Sequence, residues 1–179
     1  MLAVLAAAAT LTGCGGLKPS SSLFPDSGPM AVAQLVPRNG STVRGIISFT
    51  QRGDRVAIAG YFVELFPGPH SLYIHSIGNC NSLNAASAGP VWNAAGTSDG
   101  KRSGDLPQLF AGGEGRAELE TFSANLSVAT GKPNDVIGHA VVIHSAVDPD
   151  PKAEFGVPNG WLACGVIERS SGIDLKKYF

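Results

Sequence analysis

The chain has 179 residues, enough for one domain with a sizeable core, and 44% of them are hydrophobic. Thirteen Lys and Arg against fourteen Asp and Glu leave a net charge of −1, and charged residues make up only 15%. That balance excludes a protein that binds nucleic acid by neutralising phosphates, and it excludes a disordered polyelectrolyte.

Residues 2–11 (LAVLAAAATL) are almost wholly apolar. The run is too short to cross a bilayer, which takes about 20 residues, but it suits the core of an export signal. It leads into Leu11-Thr12-Gly13-Cys14, small residues before a cysteine, which resembles a bacterial lipobox. That resemblance implies a signal peptide over 1–13, cleavage before Cys14 and lipidation of Cys14. A lipid anchor would then hold the protein to a membrane of the bacterial cell envelope, on the periplasmic or extracytoplasmic side. A plain export signal is the alternative, and no Lys or Arg precedes the apolar run. Beyond Cys14 the sequence GGLKPSSSLFPDSGPM completes a segment, 14–30, whose Gly, Ser and Pro content reads as a flexible tether.

The body, 31–169, alternates apolar and polar residues with period two, which predicts strands. Over 43–50, Val43, Gly45, Ile47 and Phe49 share one face and Arg44, Ile46, Ser48 and Thr50 the other. Arg52-Gly53-Asp54 marks a turn, and a second strand follows over 55–65. Pro67-Gly68-Pro69 breaks it, and a third strand runs over 70–76. The stretch 77–113, heavy in Gly, Asn, Ser and Ala, reads as a long loop, and such a loop inside a compact domain is usually functional. Glu114, Arg116, Glu118 and Glu120 then alternate with smaller or apolar residues in a half-solvated strand. Two more strands are predicted over 136–145 and 161–168, and 170–179 is left as a tail. No segment has a helical period. Twenty-three Gly and twelve Pro add turns, so the expectation is an all-β antiparallel sandwich or barrel.

Five blocks, in order, resemble the copper–zinc superoxide dismutase family. GPHSLYIHSIGNC (68–80) is similar to its first copper-ligand strand, SAGP (87–90) to the approach to its metal-bridging His, and SGDLP (103–107) to the end of its zinc loop. GHAVVIH (138–144) is similar to its late copper-ligand strand and LACGVI (162–167) to its C-terminal disulfide strand. The resemblance implies a flattened eight-stranded Greek-key β-barrel with the metals outside it. It also implies a disulfide between Cys80 and Cys164. His75-x-x-Gly78-x-Cys80 has the spacing of bacterial members. Export would place that bridge in an oxidising compartment. Family members are often dimers, so a homodimer is among the partners the resemblance allows.

The family has seven metal-ligand positions, and the resemblance maps them one by one. Tyr73 stands at the first copper position, His75 keeps the second, and Val91 replaces the bridging His. The next zinc His has no counterpart over 94–101, and Arg102 replaces the last one. Asp105 keeps the zinc carboxylate and His144 the last copper His. A structural zinc site wants four ligands, so one carboxylate beside a fixed cation predicts no zinc and a loop-ordering role for Asp105. Copper is more open. Alternation puts Leu72 and Ile74 on one face of their strand and Tyr73 and His75 on the other. It likewise separates Val141 and Ile143 from Val142 and His144. If the first set is core, His75 and His144 share the outer surface where the family holds copper. Imidazole suits copper, but two imidazoles aided by a Tyr73 phenolate make a weak site. The competing reading is two surface or loop-covered histidines that hydrogen-bond locally.

His70 falls on the core face, at a position the family uses structurally, and is expected to be a satisfied, partly buried His. His139, at an odd offset from His144, should face away from the pair. Trp161 stands where the family places its channel Arg, and DPDPKAE (148–154) upstream is acidic, a poor lure for a small anion. Trp92 and Trp161 are expected to fill space left by lost ligands; the alternative is an apolar contact patch. The resulting expectation is an exported, lipid-anchored superoxide dismutase-like protein with little or no dismutase activity, acting as a binding or structural module. The alternative is a copper-only protein, or a weak dismutase, working through His75 and His144.

Overall fold

A computed structural model of the chain describes residues 28–94, 102–145 and 160–170. Nine strands run in chain order: β1 (Met30–Pro37), β2 (Arg44–Arg52), β3 (Arg55–Val63), β4 (Gly68–His75), β5 (Leu109–Ala111), β6 (Ala117–Ser123), β7 (Ala140–His144), β8 (Trp161–Val166) and β9 (Glu168–Ser170). A single 3-10 turn, Ala86–Ala88, is the one helical piece among the described residues.

Neighbouring strands lie in the order β5-β4-β7-β8-β1-β2-β3-β6, and every pair between strands is antiparallel. The two ends of that order, β5 and β6, are consecutive in the chain. Their turn is closed by the Gly112 N–H donating to the Arg116 carbonyl, so the sheet comes round to a nearly closed barrel. β4, β5 and β6 form a meander, with β3 returning beside β6 and β7 beside β4, which is Greek-key connectivity. β8 and β9 both pair with β1 and keep one register across the break at Ile167. They are two pieces of one strand, so the barrel has the eight strands that the family resemblance implies.

The period-two reading places the core. Ile47, Phe49, Leu72, Ile74, Val141 and Ile143 are all fully buried in one cluster inside the barrel. A second, smaller cluster lies on the outer side of β4, β7 and β8. It contains Ala140, Val142 and Cys164 with Cys80, Ala85 and Ala88 of the long loop, and Trp161 packs against it. The loop is pinned there by the Cys80–Cys164 disulfide, whose Cα atoms are 5.7 Å apart. The Arg38 guanidinium adds a 2.8 Å hydrogen bond from Nε to the Cys80 carbonyl.

Several element boundaries differ from the sequence reading; β6 begins at Ala117 rather than near Glu114, and Ser170, placed in the tail, pairs with Met30 in β9. The stretch 77–113 contains β5, whose three residues are too few to show alternation. β3 stops at Val63 because Glu64 adopts a left-handed φ of 62°, which takes the chain out of the ladder. β7 starts only at Ala140: residues 127–137 close a loop around the Asp135 carboxylate, and Gly138 follows at φ 85°. Met30, expected in the tether, pairs with Thr50, and Pro29 accepts a hydrogen bond from the Gln51 N–H.

Candidate functional site

The alternation of β4 and β7 puts Tyr73, His75 and His144 on the side of the barrel wall away from the main core. β4 and β7 are direct neighbours, with Tyr73 opposite Val142. A register shift between Ile143 and His144 then sets His144 opposite Trp161 of β8 rather than Leu162. The shift brings an indole to the two imidazoles: Trp161 lies 5.0 Å from the His75 ring and 5.3 Å from the His144 ring. Tyr73 meets His144 edge-on at 5.0 Å.

The two histidines are not on an open surface. His75 is 1% exposed and His144 2%, because the disulfide loop and Trp161 cover the outer face where alternation alone places them. His75 Nδ1 is 2.6 Å from the Gly89 carbonyl oxygen, and His75 Nε2 is 3.3 Å from His144 Nε2. A carbonyl only accepts, so His75 Nδ1 carries the proton and its Nε2 keeps the lone pair. His144 Nε2–H therefore donates to His75, which leaves the lone pair at His144 Nδ1 buried with no partner.

Both imidazoles are held neutral. Burial pushes His144 down to about 3, with help from the neighbouring His75 and the Arg102 cation. Burial also lowers His75; the hydrogen bond to Gly89 opposes that shift and Arg102 adds to it. Arg102 thus projects positive potential onto both rings, which opposes a metal cation as it opposes a proton.

Asp105 is committed elsewhere. Its Oδ1 accepts from Arg102 Nε at 3.0 Å and pairs with the second guanidinium nitrogen at 2.8 Å, while Oδ2 takes the Arg102 backbone N–H at 2.7 Å. The same guanidinium lies 5.2 Å over the Tyr73 ring. Val91 sits opposite His75 in an isolated bridge, so an apolar side chain stands beside the retained imidazole. Among the described residues no three or more His, Cys, Asp or Glu come together. Among the described residues the donor set does not fit the family's zinc or a catalytic copper: two imidazoles come together, they hydrogen-bond to each other, and a fixed cation faces them.

The remaining histidines are held by backbone carbonyls. His70 is 2% exposed, with Nε2 2.7 Å from the Phe66 carbonyl and Nδ1 3.3 Å from that of His144. His139 immediately precedes β7, takes no part in the pair, and stacks on Trp92 with ring centroids 4.0 Å apart. Trp92 belongs to the main core, away from the imidazole pair. The sequence reading missed two features: the Gly89 carbonyl, a backbone group with no side-chain signature, and the Trp92–His139 stack. Cys14 and the acidic stretch 148–154 lie outside the described residues.

Gly104 joins the pieces of this site. Its N–H donates to the Trp92 carbonyl and its carbonyl accepts from the Ile74 N–H, so β4 and the loop at Trp92 flank it closely on two sides. A Cβ there would press into the Ile74 carbonyl oxygen and lie 3.0 Å from that of Trp92, both backbone atoms that cannot swing aside. Gly104→Ala should therefore cost about 2–3 kcal/mol, read from the urea midpoint. An unchanged midpoint would show that the 102–105 bracket is not tightly held.

The family model for copper/zinc superoxide dismutase matches residues 43–167. Among solved structures, the crystal structure of the clock protein EA4 is similar with a TM-score of 0.65 and 26% sequence identity, over 80% of this chain and 96% of that one.

Proposed function

The chain belongs to the copper/zinc superoxide dismutase family, and from that membership we propose that it is a catalytically silent member, a binding or structural module at the bacterial cell envelope. The observation that carries this is the closed imidazole pair: His75 and His144 hydrogen-bond to each other at 3.3 Å beneath Trp161, where the family's reaction needs an accessible, four-imidazole copper. Val91 supplies no bridging nitrogen to relay a proton, and Arg102 ties up the one zinc carboxylate. Export and anchoring rest on the apolar run, the lipobox-like Leu11-Thr12-Gly13-Cys14, and a disulfide of the kind that persists in oxidising compartments.

Superoxide consumption tests the silent reading. The chain incubated with copper and then dialysed should remove superoxide no faster than the chelator-treated chain. One observation favours the second reading, a copper-only centre: the two Nε2 atoms face one another. A copper-dependent rate that disappears in both His75→Ala and His144→Ala would establish that reading. Anchoring is tested by mass: the chain recovered from membranes should carry acyl groups on Cys14, and Cys14→Ser should carry none.

A further inference from the structure

An open depression of about 490 Å3 lies at the end of the barrel where β1 begins, lined among others by Lys132, Asp135, His139 and Arg169. Its two long cations are exposed, and neither makes an ion pair among the described residues. Its one carboxylate is engaged by the backbone of its own loop. Asp135 Oδ1 accepts from the Ala129 and Ile137 N–H groups at 3.1 Å each, and Oδ2 from those of Thr130 at 2.6 Å and Gly131 at 2.9 Å. The floor is rigid, because His139 is stacked on Trp92 and its Nδ1 lies 3.1 Å from the Ser76 carbonyl. A depression with two cations that form no ion pair among the described residues, beside a carboxylate engaged by backbone N–H groups, favours a singly or doubly charged oxyanion.

The location selects among oxyanions. Arg169 pairs with Ala31, one residue from the start of β1. The loop that carries Lys132 is tied to the same place: the Val128 N–H donates to Gln51 Oε1, and the Gln51 N–H donates to the Pro29 carbonyl. The depression therefore adjoins the point where the N-terminal segment joins the barrel. Fifteen residues separate Cys14 from Met30, a reach of at most roughly 50 Å, so a lipid on Cys14 keeps this end near the bilayer. Held there, a weak site is populated through its high effective concentration. We propose that Lys132 and Arg169 bind the phosphate of an anionic phospholipid and dock this end of the barrel on the membrane, an inference that rests on the anchoring reading above.

The test is flotation of the full chain carrying Cys14→Ser with vesicles of phosphatidylcholine alone or mixed with phosphatidylglycerol. The apolar segment 2–11 contributes alike to both, so the ratio of binding is what is read. A cation near an anionic surface is worth about fivefold, so Lys132→Ala with Arg169→Ala should lower the ratio roughly 25-fold. Arg44→Ala with Arg116→Ala, the same charge loss at the other end of the barrel, should leave it unchanged. An unchanged ratio in the first pair, or an equal fall in both, would overturn the proposal. Inorganic phosphate, followed by the emission of Trp92 beside His139, is the second probe. A response to phosphate without vesicle preference would make this a free-phosphate site and overturn membrane docking. Acylation of Cys14 is read separately by mass, so failure of the anchoring reading is distinguishable from failure of the cradle.

Discussion

Replacing Cys80 and Cys164 together by Ser should lower the stability of the fold by about 4 kcal/mol. The bridge spans a sequence separation of 84, and the loop-entropy relation gives about 4.5 kcal/mol for a closed loop of that size. Both sulfurs are buried in the outer cluster, so hydroxyls placed there also lose solvation. The consequence extends to the site. Cys80 fastens the start of the segment that ends at Gly89, and the Gly89 carbonyl orients His75. Urea unfolding of the oxidised chain and of the double variant measures the difference. A loss under about 1 kcal/mol would mean that Arg38 and the Ser82–Ser87 hydrogen bonds hold the loop without the bridge.

Acid should weaken the fold by about 2 kcal/mol between pH 7 and pH 5 through His144 alone. In the unfolded chain this imidazole titrates near 6.5, and in the barrel near 3. Below pH 6.5 the unfolded state therefore binds the proton that the folded state refuses. The contribution of His144 is complete above pH 6.5 and is lost progressively as pH falls toward 3. His75, also lowered chiefly by burial, adds in the same direction. Asp135 does not confuse the window. Burial raises Asp135, but four backbone N–H groups more than offset this and hold it below 3.8, so its contribution is lost only in stronger acid. The urea midpoint at pH 7 and pH 5 is the readout. His144→Asn, which cannot titrate, should flatten most of the dependence; an equally steep variant would place the acid-sensitive groups elsewhere.

The strands were legible because the barrel wall has one wet or loop-covered face and one core face, and alternation reports that directly. Leu72 and Ile74 against Tyr73 and His75 is the clearest case, and Val141 and Ile143 against Val142 and His144 repeats it. What alternation cannot report is the cover on the outer face. His75 and His144 read as surface residues until the disulfide loop and Trp161 are folded over them, and that depends on contacts between residues far apart in sequence. The tautomers were hidden for a similar reason, since a backbone carbonyl fixes His75. The exchange of Asp105 from a metal position to a salt bridge was visible in the sequence, because Arg102 lies three residues away. β5 escaped because three residues carry no period, and the late start of β7 because Asp135 gathers backbone amides that no side-chain pattern marks.

Metal content tests the central claim most directly. The chain is loaded with copper and zinc, dialysed, and its metal atoms are counted per chain. A donor set of two mutually bonded imidazoles facing Arg102 predicts both metals far below one per chain, with no change in His144→Ala. Copper near one per chain, lost in His144→Ala, would contradict the account and make the imidazole pair a metal centre.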